Sequence, residues 1–162
     1  MLGRVISSRR RFLALPLLTM LFAAVSCSSG EVAVPSPKGE AVRQCRALHK
    51  ELPRTVDGLE RGTAEPVSDF TAIWGDPAVQ LRCGVPKPDV LTAGSEHYNP
   101  NAEGAEVNGV RWLFEKQDDG YRFTVVLRKV YVEVTVPGEY APEVNALTDL
   151  ADAVKKTIPA GV

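Results

Sequence analysis

Between Val110 and Val136 apolar and polar residues alternate so regularly that this stretch has to form β-sheet. Val110, Trp112 and Phe114 share one face of a first stretch, Tyr121, Phe123, Val125 and Leu127 one face of a second, and Val130, Val132, Val134 and Val136 one face of a third. Side chains of a strand point to opposite faces in turn, so each stretch buries one face and leaves the other to water. Asp118-Asp119-Gly120 separates the first two stretches and carries a hairpin signal. The alternation slips by one residue between Leu127 and Val130. A turn at Arg128-Lys129 is expected there in preference to a bulge, because an unbroken strand from Tyr121 to Val136 would be unusually long.

Helical periodicity flanks this sheet. Val42, Cys45, Leu48 and Leu52 recur at three- and four-residue spacing, and Ser36-Pro37 can open that helix before Pro53 stops it. Pro142 opens a second helix, with Val144, Leu147, Ala151, Val154 and Ile158 on one stripe up to Pro159. Arg54 to Glu65 reads as a polar, Gly-punctuated loop, and Ser68 as the cap of a short helical turn through Trp74 with Gly75 as its exit. Asp76-Pro77 leads into a strand from Ala78 to Gly84, ended by Pro86 and Pro88. Residues 89–106 show no clear periodicity and read as a long loop. The fold class expected is α+β: a single small domain over residues 39–160, with an antiparallel sheet of three to four strands and an N-terminal and a C-terminal helix packed on one face.

The chain begins with a segment of different chemistry. Arg4, Arg9, Arg10 and Arg11 precede an apolar run from Phe12 to Val25, and small residues lead to Cys27. This is the tripartite pattern of an export signal, assigned to residues 1–26. The fourteen residues of the apolar run would span roughly 21 Å as a helix, short of the roughly 30 Å hydrocarbon core, which argues against a permanent membrane span. Ser8-Arg9-Arg10-Arg11-Phe12-Leu13 is similar to a twin-arginine export signal, with Ala14 where Lys is common. Ala24-Val25-Ser26-Cys27 resembles a bacterial lipobox, in which the Cys27 thiol takes diacylglycerol and becomes the first residue after cleavage. Two acyl chains suffice for stable anchoring. An ordinary signal-peptidase site with Cys27 incidental is the alternative. Residues 27–38, rich in Ser, Gly and Pro, are expected to form a flexible tether.

If Cys27 carries lipid, Cys45 and Cys83 remain as a pair in an exported protein. Cys45 lies on the apolar stripe of the first helix, and Cys83 shares the inward parity of Val79 and Leu81, so both thiols face the core and a disulfide is expected. The other reading makes Cys83 a nucleophile activated by His97 or His49. A catalytic thiol needs an electropositive, partly exposed setting, and Arg82 is the one basic neighbour in sequence.

The near-zero total charge, 19 Lys and Arg against 20 Asp and Glu, conceals this division. The four Arg of residues 1–26 leave 15 basic against 20 acidic groups on the remaining 136 residues, a charge of −5. That balance excludes a general nucleic-acid binder. Phosphate-loop, dinucleotide-binding, zinc-protease and serine-hydrolase signatures are missing from the sequence, so no cofactor is expected. No Cys/His spacing suggests zinc, and the loop acids Glu96, Glu103 and Glu106 match no calcium loop, so no metal is expected.

Thr71-Ala72-Ile73-Trp74-Gly75-Asp76-Pro77, followed by Leu81-Arg82-Cys83-Gly84-Val85-Pro86, resembles a family of exported actinobacterial proteins catalogued as domain of unknown function thirty-five-fifteen. The resemblance extends over residues 40–158. It includes a Cys on the first helix, the strand start Asn108-Gly109-Val110 with Trp112, and a valine-rich last strand ending at Pro137. What it implies is a single exported or lipid-anchored domain, with no activity attached.

Trp74, Asp76, Arg82 and His97 are the candidate ligand-binding residues. Arg82, on the parity opposite Cys83, would present a fork for a carboxylate or phosphate beside Trp74. The competing view has Trp74 filling the core, Asp76 serving the turn before Pro77, and Arg82 paired to an acid across the sheet; the Gly and Pro around them favour it. His49 beside the apolar stripe reads as a packing or surface residue, and His97 as an exposed loop residue. The expectation is therefore a non-catalytic lipoprotein domain on the outer face of the cytoplasmic membrane, with an envelope protein or cell-wall component as partner. A small envelope hydrolase or transferase using His97, Asp76 and Arg82 is the rival, and an inert acidic spacer the third reading.

Overall fold

A computed structural model describes residues 29–161, so the export segment 1–26 and the proposed lipid site Cys27 lie outside the described residues. The elements in chain order are β1 (Ser29–Glu31), α1 (Glu40–Glu51), β2 (Thr55–Val56), β3 (Leu59–Glu60), β4 (Thr63–Glu65), β5 (Thr71–Trp74), β6 (Val79–Val85), β7 (Gly104–Val107), β8 (Val110–Lys116), β9 (Tyr121–Val126), β10 (Tyr131–Val136) and α2 (Asn145–Thr157). Six of the strands form one antiparallel sheet in the order β5-β6-β10-β9-β8-β7.

The inward parity read from the sequence is the buried one. Leu81 opposes Val134, Val134 opposes Phe123, and Trp112 opposes Val125, all of them in the main core. Against them α1 sets Cys45 and Leu48, and α2 sets Leu147, Leu150, Ala151 and Val154, all fully buried. The protein is thus α+β, with both helices contributing to a single core on one sheet face. At the slip between the second and third stretches β9 ends at Val126, Leu127 turns outward with φ 60° and 68% exposure, and β10 starts at Tyr131. The turn is tied down by the C-terminal segment: Arg128 Nη1 donates to the Ile158 carbonyl at 2.6 Å, and the Lys129 N–H to the Pro159 carbonyl at 3.1 Å.

The sheet has six strands where three to four were expected, because each edge strand lacks the signal that marks the middle ones. At one edge, the residues expected to form a helical turn from Ser68 to Trp74 are extended. Ser68 Oγ accepts from the Phe70 N–H two residues on, a local turn, and the chain then enters β5. All four residues of β5 are buried, so there is no alternation to read. Ala72 and Trp74 face the main core, while Ile73 is covered on the other side by Val32 and Ala64. At the opposite edge, β7 emerges from the supposed loop 89–106 with weak alternation and joins β8 through Asn108 (φ 47°) and Gly109 (φ 81°). Two central residues with positive φ make the mirror-image turn suited to hairpins, for which Asn-Gly is the preferred pair. The supposed loop 54–65 likewise contains the β2–β3 hairpin and β4.

Residues 29–38, read from composition as tether, run along the domain. β1 pairs in parallel with β4, with Ser29 opposite Thr63. Val32 is 1% exposed and its N–H donates to the Glu65 carbonyl. Pro37 lies over Gly84, whose φ of 86° and missing side chain make the approach possible, since a Cβ there would stand 2.6 Å from the proline ring. With Pro37 occupied in this contact, α1 starts at Glu40, later than Ser36-Pro37 suggested.

Cys45 of α1 and Cys83 of β6 are joined by a disulfide with a Cα–Cα distance of 5.5 Å, across a separation of 38 residues. A loop of that length, once closed, removes chain entropy from the unfolded state worth about 4 kcal/mol. Replacing both by Ala (Cys45→Ala, Cys83→Ala) is expected to lower the unfolding free energy by about that amount, a large share of a small domain's stability. Urea denaturation of the two proteins measures it, and identical midpoints would exclude the bridge.

Candidate functional site

The outward face of the sheet carries a polar row. The register aligns Thr71 with Arg82, Arg82 with Glu133, and Glu133 with Thr124 across β5, β6, β10 and β9. Outward parity on neighbouring strands brings these side chains side by side. Arg82 donates through Nη1 to Glu133 Oε1 at 2.9 Å and through Nε to the Ala33 carbonyl at 2.8 Å, so it fastens the packed arm of residues 29–38 to the sheet. Arg122 approaches the second Glu133 oxygen at 3.6 Å and donates to Gln117 Oε1 at 3.1 Å. One carboxylate, 14% exposed, is thereby shared between two guanidinium groups.

Above this row the chain from Pro86 onward folds back and closes a cleft of about 250 Å³, lined by Arg82, Arg122, Glu133, Glu115, Asp89 and His97 among others. Burial raises the Glu115 carboxyl above the ordinary carboxylate range; Arg122 opposes this, while Glu133 and Asp89 add to it.

Arg82 and His97 therefore meet in one cleft, and Trp74 and Asp76 do not belong to it. Trp74 is wholly buried with Nε1 donating to the Pro53 carbonyl at 3.2 Å, and Asp76 is exposed in the turn before Pro77. His97 is exposed, and its backbone N–H donates to Ser95 Oγ at 3.2 Å. The acid across the sheet from Arg82 is Glu133. Sequence reading passed over Glu133, Arg122 and Glu115: each is a charged residue at outward parity in an apolar strand, the ordinary mark of a solvated face. Only the register places them together.

A second concavity, of about 290 Å³, opens beside the β5 edge between α1 and the β3–β4 region. Here Arg61 donates through Nη2 to His49 Nε2 at 3.0 Å and lies over the Trp74 ring at 5.8 Å from its centre. A guanidinium cannot accept, so His49 Nε2 must be the bare nitrogen, and the neutral ring carries its proton on Nδ1. Desolvation holds the His49 pKa below its usual value, and Arg61 lowers it further, against Asp69 and the Thr71 backbone. Thr71 is 1% exposed and its Oγ1 has no hydrogen-bond partner. Trp74 thus serves a polar site indirectly, as the surface on which Arg61 rests.

Fold and site define a disulfide-stapled α+β domain: two helices cover one sheet face, and the other carries a charged row under a folded-back arm. No curated protein and no solved structure matches the chain. A family model described as protein of unknown function (DUF3515) matches residues 13–162, and the chain belongs to that family.

Two substitutions separate the roles of the cleft carboxylates. Glu133→Gln leaves two guanidiniums without their shared counter-charge and is expected to cost about 1–3 kcal/mol in urea unfolding. Glu115 acts in the opposite sense. Its raised folded-state pKa stabilises the fold at low pH, and that contribution is lost as pH rises through the folded value. Glu115→Gln, which stays uncharged, should therefore be more stable than the parent at about pH 7. The difference should vanish at about pH 3.5, where both side chains are neutral. Thermal unfolding at the two pH values checks the sign.

Proposed function

We propose that the protein is a lipid-anchored envelope domain, held on the outer face of the cytoplasmic membrane through Cys27 and acting by binding an envelope protein or cell-wall component. The observation that carries the binding reading is the cleft beneath the 86–97 arm. It sets fixed charges of both signs, Arg82, Arg122 and Glu133, into a partly enclosed space large enough for a short polar segment or small polar group. Charge-assisted contacts of this kind give specificity to polar partners. The rival hydrolase or transferase reading needs His97, Asp76 and Arg82 together, and Asp76 does not line the cleft that holds the other two. Among the described residues no helix is long and apolar enough to cross a membrane; on this reading the lipid on Cys27 is the attachment.

Cys27→Ala in the full chain is expected to abolish the diacylglycerol mass and release the protein from the membrane fraction or leave it unprocessed. Fractionation with intact-mass measurement tests this, and an unchanged mass and membrane fraction would defeat the anchor. For the cleft, a photo-crosslinking residue at Val90 should capture a discrete partner in intact cells, and one at exposed Asp152 should not. Loss of the Val90 product on Glu133→Gln would tie capture to the charged row; the same products from both positions would dismiss the cleft as the binding surface.

A further inference from the structure

We propose that the concavity beside β5 is a binding site for a phosphate group, with Arg61, His49 and Thr71 as its donors. The lining has the chemistry of an anion receptor. It holds a guanidinium, an imidazole and the hydroxyls of Thr63, Ser68 and Thr71, and no carboxylate is among its residues. Arg61 is preorganised: Nη2 is held by His49 and its plane rests over Trp74, so little side-chain freedom remains to be lost on binding.

The independent sign of a missing ligand is Thr71. Buried hydroxyls nearly always find a partner, because leaving one unmade costs about 1–3 kcal/mol. Thr71 is 99% removed from solvent by its 1% exposure, lines this concavity, and leaves Oγ1 unpaired. Its backbone is held by pairing with Arg82, and the hydroxyl, closed off from solvent at the wall of the concavity, takes no part in the sheet's hydrogen bonds. A phosphate oxygen there would satisfy the hydroxyl and the remaining guanidinium donors at once.

The position of the site points to where such a phosphate resides. β1 begins at Ser29 and pairs with Thr63 in the wall of the concavity. Cys27 stands two residues earlier, and two residues of extended chain reach at most about 7 Å. If Cys27 carries lipid, as in the function proposed above, the site stands next to the headgroups, and Val67 on its rim is an exposed apolar residue, at 78%. A lipid headgroup and a soluble phosphate ester offer the same chemistry.

The chain has two histidines, which makes the test local: His49 lines this site and His97 the other cleft. Full chain in neutral detergent is titrated with inorganic phosphate, and separately with vesicles of phosphatidylcholine with and without phosphatidylglycerol, while both ring resonances are followed by NMR. A saturable shift at His49 and none at His97 is expected. T71V, which removes a hydroxyl the fold does not use, should keep the parent's stability and weaken binding at least about tenfold; R61Q should do the same to binding. Response to phosphate alone assigns a soluble ester. Response to phosphatidylglycerol vesicles, reversed by free phosphate, assigns a headgroup. No saturable shift at His49 with either probe, a shift at His97 in its place, or unaltered binding by T71V overturns the site. The Cys27→Ala fractionation reads the anchor separately, so failure of one leaves the other standing.

Discussion

The bond between Cys45 and Cys83 ties the first helix to the second strand of the sheet, and much of the remaining architecture follows from where that strand sits. Because side chains alternate, holding Cys83 inward holds Arg82 outward. Arg82 then joins three pieces distant in sequence: the arm through Ala33, the strand of Glu133, and through Glu133 the strand of Arg122. The covalent link on one face and the shared carboxylate on the other brace the same strand from both sides. The inner link acts by limiting the unfolded chain, and the outer one by a charge-assisted hydrogen bond from Arg82 and an ion pair with Arg122 in a partly buried setting.

Packing of residues 29–38 against the sheet shapes the outer face. Val32 closes a small second core with Ala64 and Ile73, which is why β5 is buried on both sides and shows no alternation in a stretch whose sequence reads as a short helical turn. The same arm is held to the cleft residue Arg82 through Ala33, and through Ser29 it pairs with Thr63 in the wall of the concavity of Arg61 and His49. The two sites share the row that starts at Thr71 and continues through Arg82 to Glu133, but differ in charge: the cleft mixes signs, while the lining of the concavity holds a guanidinium and no carboxylate. A chain with net negative charge beyond residue 26 thereby keeps one pocket suited to anions.

Much of the fold was legible before any coordinates. The parity of Val110 to Val136, the stripes of the two helices and the pairing of Cys45 with Cys83 all come from periodicity, which depends only on local geometry. The edge strands were not legible for two different reasons. β5 lacks alternation because it is covered on both faces, and β7 because as an edge it buries little; its Asn108-Gly109 turn was the signal available. The sites were less legible still. Of Trp74, Asp76, Arg82 and His97, only Arg82 and His97 share a cleft, and the partners that define it, Glu133, Arg122 and Glu115, stand 33 to 51 residues away from Arg82 in sequence.

What the sequence by itself determined is which residues face inward, where the chain reverses, and which two thiols can meet, since each of these follows from side-chain direction along one helix or strand. Strand order and register were decided only in the tertiary structure. They set Arg82 opposite Glu133, laid Arg61 over Trp74 beside His49, and left the Thr71 hydroxyl buried without a partner. Charge pairs and cavities depend on contacts across strands, and no local periodicity encodes those.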